Sequence, residues 1–317
     1  MNAAPLEDLL RRISEGSAEA VSGLRQIAST GNAQALFHLA DLTWSGHRVP
    51  QDPPRGRLLF EYAAALGHGE ANVLATNLLG SGIAGKRDWS AALARLEAES
   101  AHLPERCSTY DLIKAMEIDP NGDPLSVPEG TVLATAPEVQ LFSKVLTAAE
   151  CHYLIDIARS RFQPSMVFTK ARELVRDEIR TSDGAAIHWL IEDPVVHALN
   201  RRIAALTRTN YEQGEPLQAL RYAPGQEYRP HVDYVEGAEV PRLWTALIYL
   251  NEDYEGGETA FVRKGIEVRG QTGDVLVFRN ARDDGAPDRS SEHAGRPVVA
   301  GTKYLATRWV RAARWTV

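Results

Sequence analysis

Residues Gly31 to Ala35 read Gly-Asn-Ala-Gln-Ala, and 36 positions later Gly67 to Ala71 read Gly-His-Gly-Glu-Ala. The same offset carries Gly46 to Gly82 and Asp52 to Asp88, and YAAALG closes the first unit. A fixed period in the thirties marks stacked helical hairpins, because one hairpin cannot bury its apolar face and several must stack to make a core. SAEAVSGLRQIASTG precedes the first unit as a half-unit. A third unit is degraded, with ESAHL where AAALG would stand, as expected of a terminal cap. The glycines mark turns and the alanines allow close helix approach. The period predicts a helical repeat domain over residues 1–118.

The rest of the chain has a different rhythm. Residues 119–138 hold four prolines and two glycines, which predicts a linker or an extended wrapping segment. From residue 139 onward, short apolar runs alternate with turns such as Glu255-Gly256-Gly257-Glu258 and Gly270 to Asp274. Short strands between Gly- and Asp-rich turns predict an all-β core of jelly-roll type. Two helices accompany it. TAAECHYLIDIARSR (147–161) starts with Thr147 and Glu150 in capping-box spacing. DPVVHALNRRIAALTRT (193–209) has Asp193 at the N-cap and Pro194 at the first helical position. The expected fold is therefore multidomain α+β: a repeat domain (1–118), a linker (119–138), and a double-stranded β-helix, or jelly roll, with flanking helices (139–317).

The chemistry-bearing residues fall in the second half. In YRPHVDY, His231 and Asp233 are two apart, so on a strand they leave the same face. With a third ligand from elsewhere, for which His293 in SSEHAGRPVV is the candidate, they make the two-imidazole, one-carboxylate facial triad of non-heme Fe(II) sites, which leaves coordination positions open. Such a pair alone is weak evidence, since nine histidines in an acidic chain give about one by chance. A second pair, His68-Gly-Glu70, lies in the helical repeats, where residues two apart do not share a face. It is read as coincidence.

Lys303 has its own argument. In TKYLATRWVR the alternation puts Lys303, Leu305, Thr307 and Trp309 on one face. A lysine that shares a face with Leu305 and Trp309 points inward, and a buried ammonium requires an anion.

The order of these blocks resembles the prolyl 4-hydroxylase type of 2-oxoglutarate/Fe(II) dioxygenase over residues 139–317. LFSKVLTAAECHYLIDIA, IRTSDGAAI and EPLQALRYAPGQEYRPHVDY are followed by LWTALIYLNEDYEGGETAF, GDVLVFRN, His293, Lys303 and Trp309. The resemblance implies that His231, Asp233 and His293 bind Fe(II) and that Lys303 pairs with the far carboxylate of 2-oxoglutarate. Tyr222 and Trp309 would border the co-substrate, and Arg180 and Tyr228 would face the substrate. Dioxygen is the other co-substrate, with ascorbate as a candidate accessory reductant. Related halogenating enzymes give up the carboxylate ligand; Asp233 is present, which implies hydroxylation with release of succinate and CO2. The implied target is a prolyl or other residue of a peptide or protein. The alternatives are a small molecule or free amino acid, and a sensor or interaction protein. The helical half resembles Sel-one-like repeats, cousins of the tetratricopeptide repeat, and would either hold a peptide substrate or only stabilise the enzyme.

Charge and composition narrow the remaining roles. The net charge is -7, with no basic stripe, which argues against nucleic acid as a partner. No apolar run is long enough to span a membrane, and MNAAPLEDLLRR has no apolar signal core. Two cysteines make no disulfide framework, and a cytoplasmic location is expected. The charge-dense stretch 168–182 is expected to be a flap over the substrate with Arg180 facing the pocket, and YVEGAEVPR (234–242) is a second flap candidate.

Overall fold

A computed structural model of the chain describes residues 6–168, 174–175 and 178–315. They form two compact units. One comprises the chain up to Ala115 together with Trp189–His197; the other comprises Met116–His188 and Ala198 onward.

Helices α1 (Leu6–Ser14), α2 (Ala18–Ser29), α3 (Ala33–Ser45), α4 (Pro53–Ala65), α5 (Gly69–Ser81), α6 (Trp89–Ser100) and α7 (Pro104–Ala115) build the first unit. The 36-residue period is a period of caps. Asn32 and His68 each accept the backbone N–H three residues on, starting α3 and α5. Gly46 and Gly82 end those helices in the left-handed region at φ 74°, where a Cβ is costly. Asp52 and Asp88 then cap α4 and α6. His68 is thus a helix cap, with its ring stacked on Phe37 at 4.3 Å. Leu24, Ala35, Leu39 and Ala71 are among the core residues of the stack.

A buried polar knot joins the later helices. Glu99 Oε1 accepts from Asn72 Nδ2 (2.9 Å) and Thr76 Oγ1 (2.5 Å), and Oε2 accepts from Arg106 Nε (2.7 Å). Arg106 also donates to Asn77 Oδ1, whose amide donates to the Leu190 carbonyl at 3.0 Å. The segment Trp189–His197, which the expected boundaries assign to the β domain, is held by this knot.

The second unit is mainly antiparallel sheet. In chain order it contains β1 (Thr131–Thr135), β2 (Glu138–Phe142), α8 (Ala148–Arg159), β3 (Gln163–Pro164), β4 (Val167–Phe168), β5 (Leu174–Val175), β6 (Asp183–Ile187) and α9 (Pro194–Leu206), whose first turn lies in the helical unit. It continues with β7 (Leu217–Tyr222), β8 (Tyr228–His231), β9 (Arg242–Tyr249), β10 (Tyr254–Gly256), β11 (Thr259–Phe261), β12 (Ile266–Val268), β13 (Val275–Arg279), β14 (His293–Gly295), β15 (Val298–Gly301) and β16 (Lys303–Arg311). An eight-stranded sheet runs β1-β2-β13-β9-β16-β7-β6-β3, and a four-stranded sheet runs β12-β11-β14-β8. This is the jelly-roll core expected from the strand pattern. Leu247, Tyr249, Leu276, Phe278 and Leu305 of the larger sheet share one buried cluster with Phe261 and Val268 of the smaller. The functional strands therefore border a dry core.

Several boundaries differ from expectation. β1 lies inside the stretch read as linker or wrapping segment and pairs with β2 at the sheet edge. Glu255 and Gly256 close β10 by pairing with β15, so the turn is tighter than the four residues expected; Gly256 and Gly257 take φ 71° and 68°. The capping box at Thr147 and Glu150 is formed, and Ala158 of α8 packs on Ala185 and Ala219, where small side chains let helix and sheet approach. Asp193 caps α9. In the expected flap, residues 169–173 and 176–177 lie outside the described residues, while β4 and β5 pair antiparallel. Cys107 and Cys151 are unpaired, and burial pushes the Cys151 thiol up to about 12, which suits a packed and unreactive group. Among the described residues no helix is long and apolar enough to cross a membrane.

Glu99 and Arg106 are almost fully buried, at 2% and 4% side-chain exposure. Removing one partner strands the other's charge. Glu99→Ala is expected to lower unfolding stability by about 3–5 kcal/mol; urea denaturation followed by far-UV circular dichroism tests this, and a loss under about 1 kcal/mol would show that the pair is not a structural clasp.

Candidate metal and co-substrate site

The site begins with a register. β8 and β14 pair antiparallel with His231 directly opposite His293, and their rings lie 4.3 Å apart. The proline in YRPHVDY sits on an edge strand, where a missing N–H is tolerated. Asp233 follows two residues after His231 and is buried. His231 Nε2 lies 3.6 Å from Asp233 Oδ1, and His293 Nε2 lies 3.8 Å from Asp233 Oδ2. One ligand atom from each residue lies within 4.8 Å of the others, and this is the one such group among the described residues. These separations are long for hydrogen bonds but suit three donors around one ion.

The imidazoles are oriented for ligation. His231 Nδ1 is 2.8 Å from the Arg229 carbonyl and His293 Nδ1 is 3.0 Å from the Ser291 carbonyl. A carbonyl only accepts, so both Nδ1 atoms carry hydrogen, which leaves each Nε2, on the Asp233 side, as the nitrogen that can meet a metal. Burial, reinforced by the charge of His231, brings the His293 pKa down to about 4, so this ring is neutral at ordinary pH. Burial alone would raise the Asp233 pKa, but His231, His293 and Arg242 together hold it well below the usual carboxylate range. Two imidazole nitrogens and one carboxylate, with no thiolate, fit Fe(II).

Packing fixes the rings. Tyr228 stacks on His231 at 3.4 Å and Phe278 meets His293 edge-on at 4.6 Å. The Arg180 guanidinium lies 5.0 Å from the Tyr228 ring, so Arg180, Tyr228 and His231 form a pile along one wall. Tyr228, expected to face substrate, lines the cavity and stacks on His231. Arg180 is buried and lines the cavity.

On β16 the predicted face is realised. Lys303, Leu305, Thr307 and Trp309 all border the cavity that contains the three ligands. Lys303 is 2% exposed and is opposite Tyr222 in register. Its Nζ donates to the Gly257 carbonyl at 2.7 Å and sits 5.6 to 5.9 Å from the rings of Tyr222, Tyr249 and Tyr254. Among the described residues no carboxylate pairs with it. Burial lowers its pKa to about 8, and Glu258 at a distance opposes that shift. A Cβ on Gly257 would stand 3.2 Å from the lysine stem, so the glycine makes room for this side chain. Burial also raises the Tyr222 pKa, with Arg180 opposing, so its hydroxyl stays a neutral donor. Trp309 presents one face to the Arg242 guanidinium at 3.8 Å, and Arg242 is held by Glu215 through bonds of 2.6 and 2.8 Å.

Sequence reasoning missed the hydroxyls. Thr259, directly after the EGGE turn, lines the cavity, and Tyr249 donates to its Oγ1 at 3.0 Å. Thr245 donates to Asp233 Oδ2 at 2.7 Å and accepts from Asn280 Nδ2 at 2.8 Å. The available signal was a lone threonine on the apolar side of LWTALIYL, in step with Leu247 and Tyr249.

Comparison with known proteins agrees with this geometry. Residues 217–311 match the 2OG-Fe(II) oxygenase superfamily. Prolyl 4-hydroxylase 1 of Arabidopsis thaliana is 36% identical over 202 residues, covering 57% of this chain and 71% of the relative. Probable prolyl 4-hydroxylase 3 of the same plant is 31% identical over 213 residues, covering 59% of this chain and 73% of the relative. Among solved structures, a viral collagen prolyl hydroxylase from Paramecium Bursaria Chlorella virus-1, in its 2OG complex, is 25% identical over 55% of this chain and 96% of that one, with a TM-score of 0.46. With its identity of 36% and 31% to the two plant prolyl 4-hydroxylases, and with a buried His-Asp-His cluster beside a buried lysine, the chain belongs to the prolyl 4-hydroxylase family of 2-oxoglutarate/Fe(II) oxygenases.

Proposed function

We propose that the protein hydroxylates a prolyl residue of a peptide or protein, with His231, Asp233 and His293 holding Fe(II) and Lys303 anchoring 2-oxoglutarate. The observation that carries this is the convergence of three ligand atoms and one unpaired ammonium on a single cavity. The peptidyl target is supported by relatives named as prolyl 4-hydroxylases. The two unpaired cysteines support a reducing compartment such as the cytoplasm.

Members of the family use Fe(II), 2-oxoglutarate and dioxygen. Bound together, these supply the oxidative chemistry that turns the keto acid into succinate and CO2 and inserts oxygen into a C–H bond. The chain's own groups do the rest. The two Nδ1–H bonds keep the Nε2 atoms aimed at the metal position. Lys303 holds the distal carboxylate of the co-substrate, and its hydrogen-bond partner among the described residues, the neutral Gly257 carbonyl, leaves the charge to be met by that anion. Thr259 and Tyr222 offer neutral hydroxyl donors beside it. Leu220, Leu247 and Leu305 line the cavity and exclude water, which strengthens each polar contact. Arg180 and Trp309 border the same space, Arg180 being assigned to the substrate and Trp309 to the co-substrate.

The helical unit is proposed to contribute to the choice of peptide. Leu58 and Tyr62 of α4 and Leu66 at its C-cap are each more than half exposed and four residues apart, in a row suited to an extended apolar segment.

The direct test is incubation of the iron-loaded protein with 2-oxoglutarate, ascorbate and proline-containing peptides, with succinate and a mass gain of one oxygen atom as readouts. His231→Ala and His293→Ala are expected to bring both to background, while His68→Ala leaves both unchanged; equal damage by all three would refute the site. For Lys303→Met, loss of a buried charge partner costs about 2 kcal/mol or more, so the Kd for 2-oxoglutarate is expected to rise about thirtyfold or more. In the intact protein that Kd is expected to be flat below pH about 8 and to weaken above it, since the free lysine there loses the proton that binds the carboxylate. Lys303→Met removes this pH dependence, and an unchanged profile would reassign the anchor. Replacing Leu58, Tyr62 and Leu66 together by serine is expected to raise KM for a long peptide while leaving peptide-independent 2-oxoglutarate turnover intact; equal kinetics would leave the helical unit as support only.

A further inference from the structure

Asp233 has two oxygens, and the chemistry leaves room for only one of them on a metal. This inference rests on the reading that Fe(II) sits among His231, Asp233 and His293. Three protein donors on an octahedral ion leave three positions. A keto acid bound through two oxygens fills two, and dioxygen needs the last. A carboxylate spreading both oxygens onto the ion would take that last position, so the fold has to restrain Asp233.

A buried hydroxyl chain supplies the restraint. Asn280 Nδ2 donates to Thr245 Oγ1 at 2.8 Å, and Thr245 Oγ1 donates to Asp233 Oδ2 at 2.7 Å. Thr245 and Asn280 are both fully buried, so no bulk water competes. A hydroxyl has a single hydrogen. With its lone pair met by the Asn280 amide, Thr245 has that hydrogen free for Oδ2. The reverse amide orientation would set two acceptors against one hydrogen. The parts are rigid: Thr245 is on β9, opposite Phe278 of β13, and the Asn280 backbone N–H donates to the Leu243 carbonyl at 2.7 Å. Oδ1 is left facing His231 Nε2.

We propose that Thr245 and Asn280 are positioning residues that hold Asp233 as a one-oxygen ligand through Oδ1 and so reserve a coordination position for dioxygen. Neither residue touches substrate or co-substrate in this role. The assignment predicts a defect in access of a diatomic ligand, distinct from a general loss of metal.

The test uses nitric oxide as a stand-in for dioxygen, titrated anaerobically into the full-length protein loaded with Fe(II) and 2-oxoglutarate and followed by electron paramagnetic resonance. Fe(II) affinity, thermal midpoint and the KM for dioxygen are measured in parallel. Thr245→Val keeps the volume and removes the hydroxyl; its nitric oxide affinity is expected to fall about tenfold or more, with a raised KM for dioxygen. Thr245→Ser keeps the hydroxyl and is expected to restore both. Asn280→Ala removes the amide donor that pins the Thr245 hydroxyl, is expected to lower nitric oxide affinity by an independent route, and decides the matter if Thr245→Val does not fold. Wild-type nitric oxide affinity in Thr245→Val, or in Asn280→Ala where it alone folds, with iron still bound, overturns the proposal. Failure of the unmutated protein to bind Fe(II) and 2-oxoglutarate overturns the underlying functional reading instead, so the two failures are distinguishable.

Discussion

The antiparallel pairing of β8 with β14 sets His231 opposite His293, and the site depends on that pairing. A slip of one residue in either strand would turn an imidazole to the other face of the sheet. Aromatic packing opposes the slip: Tyr228 stacks on one ring, and Phe261 and Phe278 close on the other. Those contacts belong to the core of the second unit as much as to the site. Stability and ligand geometry are here the same set of interactions, and only the two Nδ1–H bonds are specific to ligation.

A second constraint is an ammonium group kept in a dry cavity. Lys303 is surrounded by three tyrosine rings and one carbonyl, and this surrounding lowers its pKa to about 8 instead of stabilising its charge. Burial of an unpaired charge is a cost the folded chain bears until an anion arrives. The arrangement separates two tasks. β8 and β14 of the small sheet carry the imidazoles, while β16 of the large sheet carries Lys303. The cavity is then bordered by the His-Asp-His cluster and by Lys303.

Much of this was legible locally. The His231–Asp233 spacing, the inward face of KYLATRWVR and the 36-residue period of caps each follow from the geometry of one strand or one helix. The Thr147 capping box and the left-handed Gly46 and Gly82 were readable for the same reason. The hydroxyl chain from Asn280 through Thr245 to Asp233 was not, because its three members come from separate strands and connections and each looks ordinary in its own sequence context. The capture of Trp189–His197 by the helical unit was equally invisible, since it depends on a backbone carbonyl at Leu190 meeting the Asn77 amide. Tyr228 illustrates an intermediate case: its position beside the site was readable, but its stacking on His231 was not.

The sequence by itself determined the periodicities: which residues face inward along each strand, where helices start and stop, and which side chains could serve a metal or an anion. These are properties of a few consecutive residues, and backbone geometry converts them directly into direction. Tertiary structure alone decided the partnerships: His293 with His231, Tyr249 with Thr259, Thr245 with Asp233, and Lys303 with the carbonyl of Gly257. Such pairings are set by strand register and by packing across two sheets. Their energies are shared among many distant residues, so no single stretch of the chain encodes them.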